Sequence, residues 1–109
     1  MSRYSDKNVV VLSGRLTDDG KLNKTQNGSL FLTFSIACNK YWEKDGDEQQ
    51  QTTFMDIVRW GPDAETAAEE AQKGRQVTAV GEISVSSYTN DAGVNVKRTQ
   101  VKADSLAFR

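Results

Sequence analysis

Apolar and polar residues alternate with a period of two along most of this chain, and that period predicts β-strands. The clearest run is 30–39, where Leu32, Phe34, Ile36 and Cys38 alternate with small or polar side chains. Because successive strand side chains point to opposite faces, these residues are predicted to face a core. The same pattern predicts further strands at 8–17, 52–60, 76–89 and 94–103, with 106–108 closing the chain.

Turn signals separate these strands. Residues 18–29 are predicted to form a turn-rich connection, and the polar residues 41–51 a flexible hairpin arm that stands off the domain. Gly81 is the expected bend in the long strand 76–89, because a glycine inside a strand often marks a tight bend. Turns are predicted at Asn27-Gly28, at Asp45-Gly46 and at 90–93.

One short helix is predicted at residues 63–72, with Asp63 as its N-cap and Gly74 just past its end. Its apolar stripe is thin and consists of alanines: Ala64, Ala67, Ala68 and Ala71. The order is therefore three strands, one helix and two strands, in a length that fits a single domain, 1–109. That layout predicts an all-β fold, a five-stranded Greek-key barrel of the OB type with one short helix between strands 3 and 4.

Composition excludes several classes of function. The chain has no histidine and one cysteine, Cys38, which excludes Ser-His and Cys-His catalysis, an internal disulfide and a zinc cluster. We therefore expect no enzyme, no cofactor and no metal, and Cys38 is interpreted as a small core residue. No apolar run approaches ~20 residues, which predicts no membrane span. The polar start, residues 1–8, lacks the apolar stretch of a signal peptide, so a cytoplasmic location is expected.

The predicted strand 52–60 places aromatic rings on a polar face. Met55 and Ile57 fall on one face, whereas Phe54 and Trp60 share the other face with Asp56. A carboxylate between two rings argues against deep burial of that face. Exposed rings on a rigid strand are typical of proteins that stack nucleic-acid bases, although burial in the barrel core is the commoner fate of an aromatic residue.

Several short motifs occur in an order and spacing typical of one family. They are NVVVLSGRLT at 8–17, TQNG at 25–28, FSIA at 34–37, TTF at 52–54, VRWG at 58–61, KG at 73–74 and YTNDAG at 88–93. Through these motifs the chain resembles bacterial-type single-stranded DNA-binding proteins over nearly its whole length. The resemblance implies an OB-fold, sequence-tolerant binding of single-stranded DNA and a homotetramer, with a dimer as the alternative. It also implies base-stacking positions at Trp42, Phe54, Trp60 and Tyr88.

The chain departs from that family in two respects. Members commonly place basic residues beside the stacking aromatics, where this chain has Asp56, Pro62, Ser84, Ser86 and Ser87. Members also usually carry a long tail with an acidic tip that docks other replication proteins, whereas this sequence ends at Arg109. Either such a tail has been removed, or this is a minimal variant that does not recruit partners in that way.

Positive charge is scarce for a nucleic-acid-binding protein, since the net charge is −1. A single lysine or arginine is most often solvated surface, so each basic candidate has a purely structural alternative. The candidates for phosphate contact are Arg3, Lys40, Lys44, Arg59, Lys73, Arg75, Lys97 and Arg98. Lys97 and Arg98 are neighbours on a strand, so at most one of them faces the binding groove.

Two functions remain open at this point. The first is sequence-tolerant binding and protection of single-stranded DNA in replication, recombination or repair. The alternative is a primosome-type OB module that acts mainly through protein–protein contacts and binds DNA weakly; the low charge and the short C-terminus favour it slightly. Val9 and Val11, on the outward face of the first strand, are predicted either to form a subunit interface or to wall the second side of the barrel.

Overall fold

The computed structural model describes residues 3–109; Met1 and Ser2, the start of the polar N-terminus, lie outside the described residues. The described part forms strands and a helix in the order β1 (Val10–Leu16), β2 (Lys21–Lys24), β3 (Leu30–Lys44), β4 (Asp47–Trp60), α1 (Ala64–Glu70), β5 (Gln76–Thr89) and β6 (Asn95–Phe108). The five long strands and the helix between the third and fourth of them match the predicted layout.

The sheet closes on itself into a barrel. Its strand order is β1-β5-β6-β4-β3-β2, and β1 also pairs with β3 through Arg15↔Ala37 and Leu16↔Ile36. The β4–β6 pairing is parallel and the other pairings are antiparallel. The predicted five-stranded barrel with one short helix is therefore confirmed, and the short β2 is an addition at the edge of β3.

The barrel interior is mostly aliphatic, with Phe34 as its buried aromatic residue. Its fully buried side chains come from several strands, as the alternation predicted: Leu32, Ile36, Ile57, Val77 and Val101. Ala64 and Ala71 bring the helix against this core, so its alanine stripe is buried as predicted. Cys38 packs at the edge of the core, and burial raises the pKa of its thiol.

A bulge in β6 lets both halves of this strand face the core. Opposite β5, Gly81 pairs with Ala103 and Val80 pairs with Ser105, which leaves Asp104 as the extra residue. A Cβ added at Gly81 would lie 1.9 Å from the Lys102 carbonyl oxygen, so the predicted bend requires glycine because the chains approach closely.

The bulge also explains why the end of the chain was predicted as two pieces. Val101 and Ala103 occupy odd positions and Leu106 and Phe108 even ones, yet all four pack in or against the core. One extra residue shifts the period by one, and a strict alternation in the sequence breaks at that point. The predicted segments 94–103 and 106–108 are therefore one strand.

The predicted arm is regular β-structure. β3 and β4 pair without interruption from Phe31↔Trp60 out to Lys44↔Asp47, so the expected strand ends at 39 and 52 were wrong. Asp45 and Gly46 both have positive φ, 53° and 82°, as a two-residue type I′ hairpin turn requires. The strand β2 lies within the segment predicted as a connection, since four residues are too few to show a clear alternation.

The helix is shorter than predicted and is not capped as predicted. It spans Ala64–Glu70, and Asp63 makes no side-chain capping hydrogen bond because its carboxylate binds Arg59 instead. Gly74 has a φ of 85° and its N–H donates to the Leu16 carbonyl, 2.8 Å away, past the end of the helix. Among residues 3–109 the structure contains no helix long and apolar enough to cross a membrane.

The close approach at Gly81 gives a stability prediction. Gly81→Ala forces the new Cβ against backbone atoms of Lys102 and Ala103, which cannot move without disturbing the bulge. We expect the free energy of unfolding to fall by about 1–3 kcal/mol in urea titrations, as in overpacked cores. Ser87→Ala, an exposed change on the same strand, serves as the control, and an equal loss in both variants would contradict this account.

Candidate nucleic-acid interface

Three of the large aromatic side chains that lie outside the barrel core are on β4 and β5. Phe54, Trp60 and Tyr88 are 67%, 45% and 54% exposed, respectively. Aromatic residues of this size are highly buried on average, whereas here the barrel interior is filled mainly by aliphatic side chains and Phe34. The prediction that these rings stay out of the core is confirmed, and their role remains to be assigned.

The register places these three rings on the same face of the sheet. β6 lies between β4 and β5, and Gln100 of β6 is opposite Asp56 on one side and Ser84 on the other. Residues that face each other across a ladder share a face, and the face repeats at every second residue. The even positions of β4, of β5 and of the first part of β6 thus form one surface, called the ring face below. Val58 also lies at an even position of β4 but is only 3% exposed. The more exposed residues of the ring face include Phe54, Asp56, Trp60, Glu82, Ser84, Ser86, Tyr88, Arg98, Gln100 and Lys102.

Trp60 is held in place by a second ring. Phe31 of β3 lies directly opposite it, with ring centroids 4.5 Å apart and an interplanar angle of 27°. A shallow cavity of about 450 Å³ opens beside Trp60, lined by the β2–β3 turn and by Gly61 and Pro62. Sequence reasoning missed Phe31, although its odd position in β3 was signal enough to place it on the outward side.

Trp42 occupies a different face. It is 41% exposed and pairs with Gln49 on the ribbon formed by the ends of β3 and β4. Within the barrel, the even positions of β3 face the core. Trp42 is at an even position of the same strand, so it lies on the face of the ribbon opposite to the one that carries Phe54. Lys40 and Lys44 share the face of Trp42, because they lie two residues from it on the same strand.

The charged residues of the ring face include an ion pair. The Arg98 guanidinium lies 3.7 Å from Oδ2 of Asp56, and the Ser35 hydroxyl donates a hydrogen bond to Oδ1 of the same carboxylate. Lys97 occupies the opposite face of β6, opposite Ser87, so only Arg98 of this adjacent pair is on the ring face, as predicted. Lys102 is a second cation of this face that sequence reasoning missed, although it follows Arg98 at the strand period.

Arg59 is engaged by the protein itself. Its guanidinium donates to the carbonyls of Ala103 and Asp104, at 2.9 and 2.8 Å, and to the Asp63 carboxylate at 2.7 Å. The hydrogen bond from Arg59, together with its charge, lowers the pKa of Asp63. Arg59 thereby holds the β6 bulge with three of its five N–H groups, and its contact with phosphate stays a prediction.

Arg75 has a comparable structural position. Its Nε donates to the carbonyl of Arg109 at 3.0 Å, its guanidinium carbon lies 5.7 Å from the centre of the Phe108 ring, and Glu70 is 3.9 Å away. These contacts fasten the end of β6 to the start of β5. Arg75 is therefore engaged within the chain, and its contact with phosphate stays a prediction.

The remaining basic candidates are exposed, and they take no part in the ion pairs formed among residues 3–109. These are Arg3, Lys40, Lys44, Lys73 and Lys97. The structure does not gather them on the ring face: Lys40 and Lys44 lie on the arm, and Lys73 follows the helix. Positive charge thus surrounds the ring face rather than covering it.

The outward face of β1 is apolar and open. Val9 and Val11 are 70% and 62% exposed, so they do not wall a second side of the barrel. From Val10 to Gly14, β1 pairs with β5 on one side, and its pairing with β3 begins only at Arg15. The other edge of this stretch is therefore unpaired within the described chain.

A five-stranded barrel of this topology, with one helix between its third and fourth long strands, belongs to the OB-fold class. The family model described as the single-strand binding protein family matches residues 7–109, and the chain belongs to that family. A structure described as "Plasmodium falciparum SSB complex with ssDNA" has the same fold, with a TM-score of 0.86, 19% sequence identity and coverage of 99% of both chains.

Curated relatives are similar over most of this chain. Single-stranded DNA-binding protein A of Bacillus subtilis is 36% identical over 93% of the chain, and the single-stranded DNA-binding protein of Enterococcus faecalis is 38% identical over 91%. A protein of the same name from Fusobacterium nucleatum is 36% identical over 93%. The chain spans 58%, 52% and 66% of the length of these relatives, respectively.

The contacts of Arg59 give a second stability prediction. Arg59→Met leaves two bulge carbonyls and the Asp63 carboxylate without this donor, which we expect to cost about 1–3 kcal/mol in urea unfolding. Arg98→Met removes one exposed ion pair and is the matched control, with an expected change within about 0.5 kcal/mol. Equal losses in the two variants would show that Arg59 does not hold the bulge.

Proposed function

We propose that this protein binds single-stranded DNA with little sequence preference and without catalysis, and that it protects exposed strands in replication, recombination or repair. The observation that carries the proposal is the ring face, on which Phe54, Trp60 and Tyr88 are left outside the core of a rigid sheet. Membership of the single-strand binding protein family and the names of the relatives support it. DNA as ligand makes the cytoplasm the proposed location.

Base stacking supplies most of the affinity in this proposal. Each base stacked on an aromatic ring contributes about 1–3 kcal/mol, and every base has a face that can stack. Phe31 holds Trp60 in place behind its ring, so little side-chain freedom is lost when a base stacks. Trp42 provides a fourth stacking position on the arm, which a strand reaches after it leaves the ring face.

Phosphate contacts supply the remainder. The proposed groups are Arg3, Lys40, Lys44, Lys73, Lys97 and, on the ring face, Arg98 and Lys102. Each phosphate that is neutralised contributes about −0.7 to the slope of log K against log salt for single strands. With a net charge of −1 and cations dispersed around the ring face, a shallow slope is expected.

We further propose that the protein is a homo-oligomer built on β1. The edge of Val10–Gly14 that does not pair with β5 offers free backbone N–H and carbonyl groups, and Val9 and Val11 flank it with apolar surface. Two copies of such an edge satisfy each other about a two-fold axis. A tetramer is the proposed state, and a dimer is the alternative.

Titration with oligothymidine tests the proposed DNA binding. Phe54→Ala removes one exposed ring and keeps both tryptophans as fluorescent reporters, so quenching of Trp42 and Trp60 remains readable. We expect its Kd to rise by about 5- to 150-fold, the equivalent of one stacked base. Tyr4→Ala, which removes an exposed ring from the N-terminal segment, is the control and is expected to leave the Kd unchanged. Absence of quenching in the unsubstituted protein at low salt would favour the protein-contact module instead.

Sedimentation velocity tests the proposed interface. Val11→Lys places a charge beside the open edge of β1, and we expect the oligomer to dissociate because an unpaired charge is costly to bury. Val94→Lys introduces the same charge at an exposed turn and is expected to leave the mass unchanged. A monomeric unsubstituted protein, or an oligomer that survives Val11→Lys, would rule out this interface.

A further inference from the structure

Asp56 occupies a position where a nucleic-acid-binding surface would ordinarily avoid negative charge. It lies between Phe54 and Trp60 on β4, and these two rings are about 20 Å apart along the strand at the usual rise per residue. A DNA strand that stacks on both rings therefore passes the Asp56 carboxylate. Its phosphates carry the same sign of charge, so the two repel each other.

The carboxylate is held in position by two neighbours. The Ser35 hydroxyl, directly across the β3–β4 ladder, donates to its Oδ1, and the Arg98 guanidinium lies 3.7 Å from its Oδ2. The Asp56 side chain is 43% exposed and the Arg98 side chain is 53% exposed, so both groups are within reach of a ligand. The ion pair is thus part of the surface on which we propose that DNA lies.

The surroundings of Arg98 add more negative charge. A cavity of about 220 Å³ beside the ion pair is lined by Asp18, Asp19 and Lys21 in addition to Asp56 and Arg98. Three carboxylates therefore face two cations there. Asp19 is fixed by accepting a hydrogen bond from the Lys73 backbone N–H, 2.8 Å away. Arg98 is compensated from within the chain before any phosphate arrives.

We infer that Asp56 is a built-in competitor for Arg98, which lowers both the affinity for single-stranded DNA and the dependence of that affinity on salt. A phosphate that binds Arg98 must displace the carboxylate, and the displaced carboxylate then remains beside the strand. This inference rests on the proposed function, and it identifies Asp56 as a residue that moderates the strength of binding.

The expected effect is modest, because exposed ion pairs contribute little. Double-mutant cycles on such pairs correspond to a change of roughly 1.5- to 5-fold in an equilibrium constant. Asp56→Asn keeps the shape of the side chain and an oxygen that accepts from Ser35, but removes the charge. We expect Asp56→Asn to lower the Kd for oligothymidine by that factor, and to steepen the salt slope by about 0.7, one additional phosphate.

A double-mutant cycle with Arg98→Gln identifies the competitor mechanism. Arg98→Gln alone is expected to raise the Kd by a smaller factor than it does in the Asp56→Asn background, because the Asp56 carboxylate already competes for the guanidinium. In the Asp56→Asn background the same substitution is expected to abolish the gain in affinity and the additional slope. Glu69→Gln on the exposed side of α1 makes the same change in net charge and is the control, with no expected change in either quantity.

Three outcomes would overturn the inference. One is an unchanged Kd and slope in Asp56→Asn; another is a gain that persists in the double variant, which would make Asp56 act by direct repulsion alone. The third is an equal gain in Glu69→Gln, which would make net charge the cause. Circular dichroism establishes that each variant is folded. If the unsubstituted protein and all variants fail to bind DNA, the proposed function itself is wrong, which is a different result.

Discussion

The position of β6 between β4 and β5 is the constraint on which the ring face depends. β4 and β5 are separated along the chain by the helix, and neither pairs with the other. Gln100 of β6 is opposite Asp56 of β4 in the parallel ladder and opposite Ser84 of β5 in the antiparallel ladder. These two pairings determine which residues of β4 and β5 lie on the same face of the sheet. A shift of either ladder by one residue would move Phe54 or Tyr88 to the core side.

The bulge allows both parts of β6 to place side chains in the core while this register is kept. If β6 continued through Asp104 without a bulge, the alternation that buries Val101 would place Leu106 and Phe108 on the exposed face. Glycine at 81 admits the close approach of the chains, and Arg59 satisfies the carbonyls of Ala103 and Asp104. Arg59, which lies beside the ring face, therefore uses three of its N–H groups within the fold. Fewer donors are left for a ligand on a surface that already has few cations.

The sequence predicted the elements that depend on a simple period and did not predict those that depend on pairing partners. Alternation was sufficient for the core positions of β3 and for the exposure of Phe54 and Trp60. It did not show that the bulge at Asp104 joins two segments into one strand, because a bulge interrupts the very pattern that defines a strand. It also did not show that β3 and β4 continue as a ribbon to Asp45-Gly46, since the ribbon is largely exposed and, apart from Tyr41 and Trp42, polar, so no apolar alternation marks it.

Side-chain partnerships were the least predictable part of the candidate site. Eight basic residues look alike in the sequence, but the contacts of Arg59 and Arg75 within the chain are visible only once the fold brings the ends of β6 to them. Trp42 shows the same limit: its place on the arm was predicted, whereas its face follows from a register that runs through the whole hairpin.

The different contacts of Arg59, Arg75 and Arg98 have a consequence for how the proposed DNA binding would depend on salt. The stacking of bases on aromatic rings depends only weakly on salt, whereas phosphate contacts weaken as the salt concentration rises. A surface that keeps its rings free and its Arg98 compensated would bind mainly through stacking, so its affinity would vary little with ionic strength. It would also release DNA more readily than a strongly basic groove of the same size, since fewer phosphates hold the strand. For a protein proposed to cover single strands and then give them up, Asp56 on the ring face is consistent with that requirement.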